Sequence, residues 1–157
     1  MIRLLCSIVM LVLTFSASAD ISGRVVRVLD GDTIEILESG NRLTRVRLAG
    51  IDAPEKSQPF GQRSRQALSS MVAQRTVTVT GGDTDRYGRL LGTVWLDAKD
   101  VNAEQIRKGL AWAYRYHGNP VKPDYAALEN EARCQATGLW SAPGQTEPWR
   151  WRNLHQG

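Results

Sequence analysis

The sequence predicts a β-rich α+β fold: a five-stranded Greek-key barrel with about three helices. Three observations carry that expectation. Apolar and polar residues alternate through three consecutive segments of the first half, with turn residues between them. One helical pattern then separates them from a β-branched run, TVTVT, and a further apolar run, LLGTVWL. The second half turns helical.

Arg24–Leu29 and Thr33–Leu37 alternate on either side of Asp30-Gly31-Asp32, and Asp-Gly in such a setting signals a tight hairpin turn. Ser39-Gly40-Asn41 marks another turn, and Arg42–Leu48 alternates again, so three strands form a meander. Gly50 to Pro54 breaks the pattern. Gln62–Ala73 carries Leu68, Met71 and Val72 as the apolar stripe of a helix. Thr76–Thr80 reads as the fourth strand, and the loop GGDTDRYGR leads into the fifth, Leu90–Leu96. Asn102 with Gln105 reads as a capping box opening a short helix to about Leu110. Pro123-Asp124 opens another, with Gly138 as its C-cap. Strands and helices in this order fit a barrel of the OB type, a shape that binds oligonucleotides or oligosaccharides. Shape alone is a poor guide to function.

The chain opens MIRLLCSIVMLVLTFSASAD. Arg3 precedes an apolar run from Leu4 to Phe15, and Ala17-Ser18-Ala19 supplies the A-x-A pattern that a signal peptidase cuts. The run is shorter than the roughly 20 apolar residues of a membrane span. Residues 1–19 are expected to be a cleaved export signal, 20–145 the folded domain and 146–157 a C-terminal tail. The expected location is secreted or periplasmic, without stable membrane association after cleavage. A monomer is the expectation for so small a barrel.

Twenty Lys and Arg against 16 Asp and Glu give a formal charge of +4, which the loss of Arg3 with the signal lowers by one. That mild excess helps with a polyanion without identifying one. Most of the cations are arginines, which favours forked phosphate or carboxylate contacts. Cys6 lies in the signal and Cys134 is then alone, so its thiol is expected to be inert. No Cys/His metal spacing exists, and His117 and His155 lie in polar segments.

The chemistry-bearing residues cluster at the breaks in the β pattern. Asp30 and Asp32 flank the first turn, Arg47 nears the end of the third strand, and Asp52 and Glu55 follow in GIDAPE. Arg86, Tyr87 and Arg89 precede the fifth strand. Each has a plain alternative: turn formers at Asp30 and Asp32, a loop or cap at Asp52 and Glu55, a solvated strand residue at Arg47, a polar hairpin loop around Asp85–Arg89. Brought to one rim by barrel topology, they acquire a joint meaning. Carboxylates bind a divalent cation, and arginines with that cation surround a phosphate.

Their order resembles the staphylococcal nuclease family, also called thermonucleases or micrococcal nucleases. The resemblance runs from about Ile21 to Trp140 and rests on VLDGDTI, VRLAGIDAPE, TDRYGRLLG, VNAEQIRKGLAWAYRY and EARCQATGLW. It implies an OB-type barrel with three helices and a Ca²⁺-dependent nuclease acting on DNA, RNA or both. Asp32 and Asp52 match the Ca²⁺-binding carboxylates, with Asp30 in the outer shell. Ala53 stands where the staphylococcal enzyme has a threonine whose carbonyl binds the metal. Glu55 matches the proposed general base, and Arg47 and Arg89 match the pair that grips the scissile phosphate. Tyr87, Tyr114 and Tyr116 match tyrosines around the nucleotide. The implied cleavage breaks the P–O5′ bond and leaves 3′-phosphate ends.

This chain departs from the family in having only KSQPFGQ between GIDAPE and the helix, where the staphylococcal enzyme has a longer lysine-rich loop. The arginines of QRSRQ, with Arg150 and Arg152 in the tail, read as solvated surface or as replacement contacts to backbone phosphates. Trp149 and Trp151 read as packing on the barrel or as stacking platforms for bases. The alternative function is a non-catalytic OB-fold module that binds nucleic acid or protein.

Overall fold

A ten-residue strand, Ile21–Asp30 (β1), is long enough to serve two partners, and the barrel is built on that. The computed structural model describes residues 20–156, so the expected signal and Cys6 lie outside the described residues. β1 pairs antiparallel with β2 (Thr33–Glu38) along Gly23–Asp30 and with β5 (Thr76–Thr80) along Ile21–Arg24. Register shifts between Val25 and Arg27 and between Val28 and Asp30 bend it, as bulges do. β2 turns through Gly40 and Asn41, both with positive φ, into β3 (Leu43–Leu48). The two-residue strand β4 (Ile51–Asp52) and helix α1 (Gly61–Val72) come next, then β5 and β6 (Leu90–Leu96).

The strand order β3-β2-β1-β5-β6 closes on itself through a parallel pairing of β3 with β6, Val46 to Leu90 and Leu48 to Gly92. The inward set of the alternation fills the barrel. Val25, Ile34, Ile36, Val46, Leu48, Val79 and Val94 are fully buried. Leu68 and Val72 of α1 plug one side. β7 (Lys99–Asp100) extends β6 and leads into α2 (Val101–Arg107), whose Val101 and Ile106 join the same core. β8 (Trp112–Ala113) pairs with β4, and β9 (Arg115–Tyr116) with β10 (Asn119–Pro120). α3 (Pro123–Cys134), a 3-10 turn at Gly138–Ser141 and α4 (Pro148–His155) complete the chain. No helix among the described residues is long and apolar enough to cross a membrane.

The described residues hold four α-helices, in line with the three or so expected; the fourth arises because PWRWRN, which the sequence reads as part of a tail, forms most of α4, Pro148 fitting the first helical turn. Several expectations need correction. α2 is capped by Asp100, whose carboxylate accepts from Ala103 N–H at 2.9 Å, not by Asn102. Asn102 lies inside the helix, fully buried. Its Oδ1 accepts from Val94 N–H at 3.0 Å, and its amide donates to Ala49 O at 2.9 Å and Gly92 O at 3.1 Å. Gln105 is likewise buried and donates to Gly31 O at 2.8 Å and Ser64 O at 3.1 Å. The two amides tie together the loops that follow β1 and β3. α3 ends at Cys134 and not near Gly138, which opens the 3-10 turn instead. Cys134 is exposed and free.

Candidate active site

Gly31 is the hinge of the site, for a different reason than turn geometry. It does not take the left-handed conformation that an Asp-Gly hairpin would use. A Cβ there would overlap Ser64 Oγ of α1 and come within 2.8 Å of Ala53 Cβ. The glycine lets the turn lie against α1 and the loop after β4. Asp30 Oδ1 accepts from Asp32 N–H at 3.0 Å, a local side-chain-to-backbone turn. Asp32 Oδ2 in turn accepts from Ala53 N–H at 2.7 Å, while its carbonyl accepts from Leu48 N–H at 2.8 Å. The turn is thereby fastened to the segment that carries Asp52 and Glu55.

Asp52 sits on β4, held in place by its pairing opposite Trp112 of β8. β8 is itself anchored by Glu129 of α3, a fully buried carboxylate. It accepts from Ala113 N–H at 3.0 Å and from Arg115 Nη2 at 2.6 Å. Arg47 joins the two acids: its Nη2 lies 3.1 Å from Asp32 Oδ2 and 3.2 Å from Asp52 Oδ1. Its Nη1 donates to Leu48 O at 2.7 Å and Ile51 O at 2.9 Å. In this state the guanidinium is largely committed to protein acceptors.

Arg89 is presented by the loop before β6. Asp85 Oδ2 accepts from Arg89 Nε at 2.7 Å, and Oδ1 accepts from the N–H groups of Tyr87 at 2.9 Å and Arg89 at 3.0 Å. Slight desolvation pushes the Asp85 carboxyl up, but these donors together hold it below its ordinary range. Arg86 and Arg89 lie 4.8 Å and 5.4 Å from the centre of the exposed Tyr87 ring.

Asp30, Asp32, Arg47, Asp52, Ala53, Glu55, Tyr87, Arg89 and Tyr114 all border one hollow of about 840 Å³. Tyr116 does not. The β9–β10 hairpin carries it outside, 66% exposed, where its ring meets His117 edge-on at 4.2 Å.

The floor of the hollow is acidic and poorly solvated. Burial, followed by the adjacent negative charge of Asp32, pushes Asp30 up to about 7. Burial also pushes Asp52 up, opposed first by hydrogen bonds from a group that the sequence reads as solvated surface or as a phosphate contact. That group is Arg152 of α4. Its Nη2 lies 2.8 Å from Asp52 Oδ2, and its Nη1 lies 3.1 Å from Asp52 Oδ1 and 2.7 Å from Glu55 Oε1. The hydrogen bonds that the guanidinium donates to Asp52 push it further up in return. Nothing in the tail's composition distinguishes Arg152 from Arg150, which pairs with Glu147 at 3.6 Å. The helical register is what separates them.

The lone-pair donors that Asp32, Asp52 and the Ala53 carbonyl could offer a metal are all oxygens, the set a hard cation takes. Among the described residues no three acidic, histidine or cysteine side chains come together as a cluster for one ion. Asp32 and Asp52 form a pair bridged by Arg47 and would need a carbonyl, such as that of Ala53, and water to complete a shell. The residues fit such an ion in donor type.

Comparison with known proteins identifies the family. The family described as Staphylococcal nuclease homologue matches residues 45–142. A "Micrococcal nuclease" of Shigella flexneri is 46% identical over 96% of this chain and 91% of its own length. An "Uncharacterized endonuclease" of Escherichia coli O157:H7 is 52% identical over 86% of this chain and 87% of its own. "Protein ParB" of Escherichia coli is 48% identical over 97% and 90%. With matches of that extent on a closed barrel of the OB type, the chain belongs to the staphylococcal nuclease family.

Proposed function

We propose that this chain is an exported, calcium-dependent nuclease that hydrolyses phosphodiester bonds of DNA, RNA or both. The supporting observation is that Asp32, Arg47, Asp52, Glu55 and Arg89, from four separate segments, border one hollow. A phosphodiester resists attack because its negative oxygens repel the nucleophile, so the site must supply positive charge and a base. Asp32, Asp52 and the Ala53 carbonyl would hold Ca²⁺, which when bound polarises a phosphate oxygen and orients the substrate.

Glu55 takes a proton from a water molecule as its oxygen attacks phosphorus. The P–O5′ bond breaks, the 5′ oxygen leaves and gains a proton from solvent, and the other fragment keeps a 3′ phosphate. Arg89, steadied through Nε by Asp85, offers its remaining donors to the charge-rich transition state. Arg47 does the same once a phosphate competes for its Nη groups. Tyr87 and Tyr114 border the hollow where the flanking nucleotide would lie, and Arg86 adds charge beside them. The leader 1–19 would direct the chain to the periplasm or medium as a monomer.

The test is incubation of the protein without residues 1–19 with plasmid DNA and with RNA, in Ca²⁺ or in chelator. Ca²⁺-dependent fragments ending in 3′ phosphates are expected. Binding without cleavage in Ca²⁺ would favour the non-catalytic module instead.

A further inference from the structure

Arg152 has no part in the chemistry proposed above, yet it engages both oxygens of Asp52 and one oxygen of Glu55. A bidentate guanidinium–carboxylate contact is geometrically specific and strong. Here it falls on the acid assigned to the metal and on the acid assigned to the water. We propose that α4 is an intramolecular strap whose Arg152 competes with the divalent cation for Asp52 and Glu55. The inference rests on the metal-binding reading of those acids.

The strap is tethered where such a device needs to be. Gln58, buried at 4% exposure, accepts from Glu55 N–H through Oε1 and donates through Nε2 to Thr146 O, just before α4. Pro148 is buried at the helix entrance, and Gln156 borders the hollow beyond it. Between those points α4 is short and half exposed, with only Trp149, Trp151 and Arg152 partly buried. It has eight residues, no side-chain cap at Glu147 and no acidic residue in its first turn, and Leu154 is 75% exposed. So short a helix is marginal by itself. Besides the half-buried Trp149 and Trp151, its position rests on the contacts of Arg152 and on the tether. A side chain held this way can leave when a cation takes its acceptors, or when a phosphate offers the guanidinium an equivalent partner. While it stays, Glu55 has a lone pair committed to a cation instead of to a water.

Calcium titration calorimetry on the full mature chain tests this, with melting curves to establish that each variant is folded. Arg152→Gln should bind Ca²⁺ about tenfold more tightly or better, since one hydrogen bond to a charged partner is worth about a decade in equilibrium constant. Arg152→Lys, keeping the charge but losing the fork, should fall between, and it carries the test if Arg152→Gln does not fold. Arg150→Gln should bind as the parent does, and Asp32→Asn should lose most of the binding. Equal or weaker Ca²⁺ affinity in the Arg152 variants would overturn the strap and leave the metal reading standing. No Ca²⁺ binding in the parent or in either Arg152 variant would overturn both.

Discussion

Replacing Gly31 by alanine isolates the contact on which the site's geometry depends. The added methyl would overlap Ser64 Oγ and lie 2.8 Å from both Ser64 Cβ and Ala53 Cβ, against an ordinary carbon contact of about 3.5–4.0 Å. The surroundings are poor at yielding. Ser64 is fully buried, donates to Leu110 O at 2.7 Å and is fixed in the first turn of α1, while Ala53 is pinned by its N–H bond to Asp32. Overpacking of that kind costs about 3 kcal/mol. For a domain of this size that lowers the melting temperature by roughly 10 °C. Ser64→Gly should cost about 2 kcal/mol through its lost hydrogen bond and helix propensity. Because the clash then has nothing to strike on the Ser64 side, the double variant should be about 1–2 kcal/mol more stable than the sum of its parts. Thermal melts and urea titrations followed by circular dichroism provide all four corners of the cycle. A Gly31→Ala protein melting within about 2 °C of the parent, or strictly additive costs, would refute the close-approach argument.

Three further outcomes follow from the same geometry. Glu55→Gln should reduce turnover on DNA by about 10²–10⁴-fold with little change in melting temperature, because the carboxylate is half-exposed on a rim; near-normal turnover would remove Glu55 from the role of base. Arg89→Lys should cost about 10²–10³-fold, since an ammonium cannot bond Asp85 and still present a fork to phosphate; steady-state kinetics measures the loss, and parent-like rates would contradict it. Glu129→Ala should destabilise by about 3–5 kcal/mol, because it strands a partly buried Arg115 and frees the Ala113 N–H that fixes β8; a melt lowered by only a degree or two would count against that anchoring.

The strands were legible because their pattern is strong. Thr76–Thr80 and Leu90–Leu96 have the bounds that the sequence predicted, and the meander differs only at its ends. The two-residue strands β4 and β8 could not be read that way, since two residues carry no periodicity. Their existence follows from tertiary anchoring, above all Glu129 on Ala113. Asn102 and Gln105 misled for a related reason: their three-residue spacing is that of a capping box, but burial on one helix face uses the same spacing. Gathering of Asp32, Asp52, Glu55, Arg47 and Arg89 around one hollow was legible through ordered motifs. Arg152 was not, because its partner Asp52 lies a hundred residues away and only the register of α4 brings them together.

Asn102 and Gln105 also bear on where such a barrel can work. Their ties from α2 to the loops after β1 and β3 are made by neutral carboxamides, sealed from solvent. Ionic strength, which shortens the reach of exposed charges, has little purchase on them. Brackish or dilute surroundings would thus alter how strongly a polyanion is attracted while leaving these two ties unchanged.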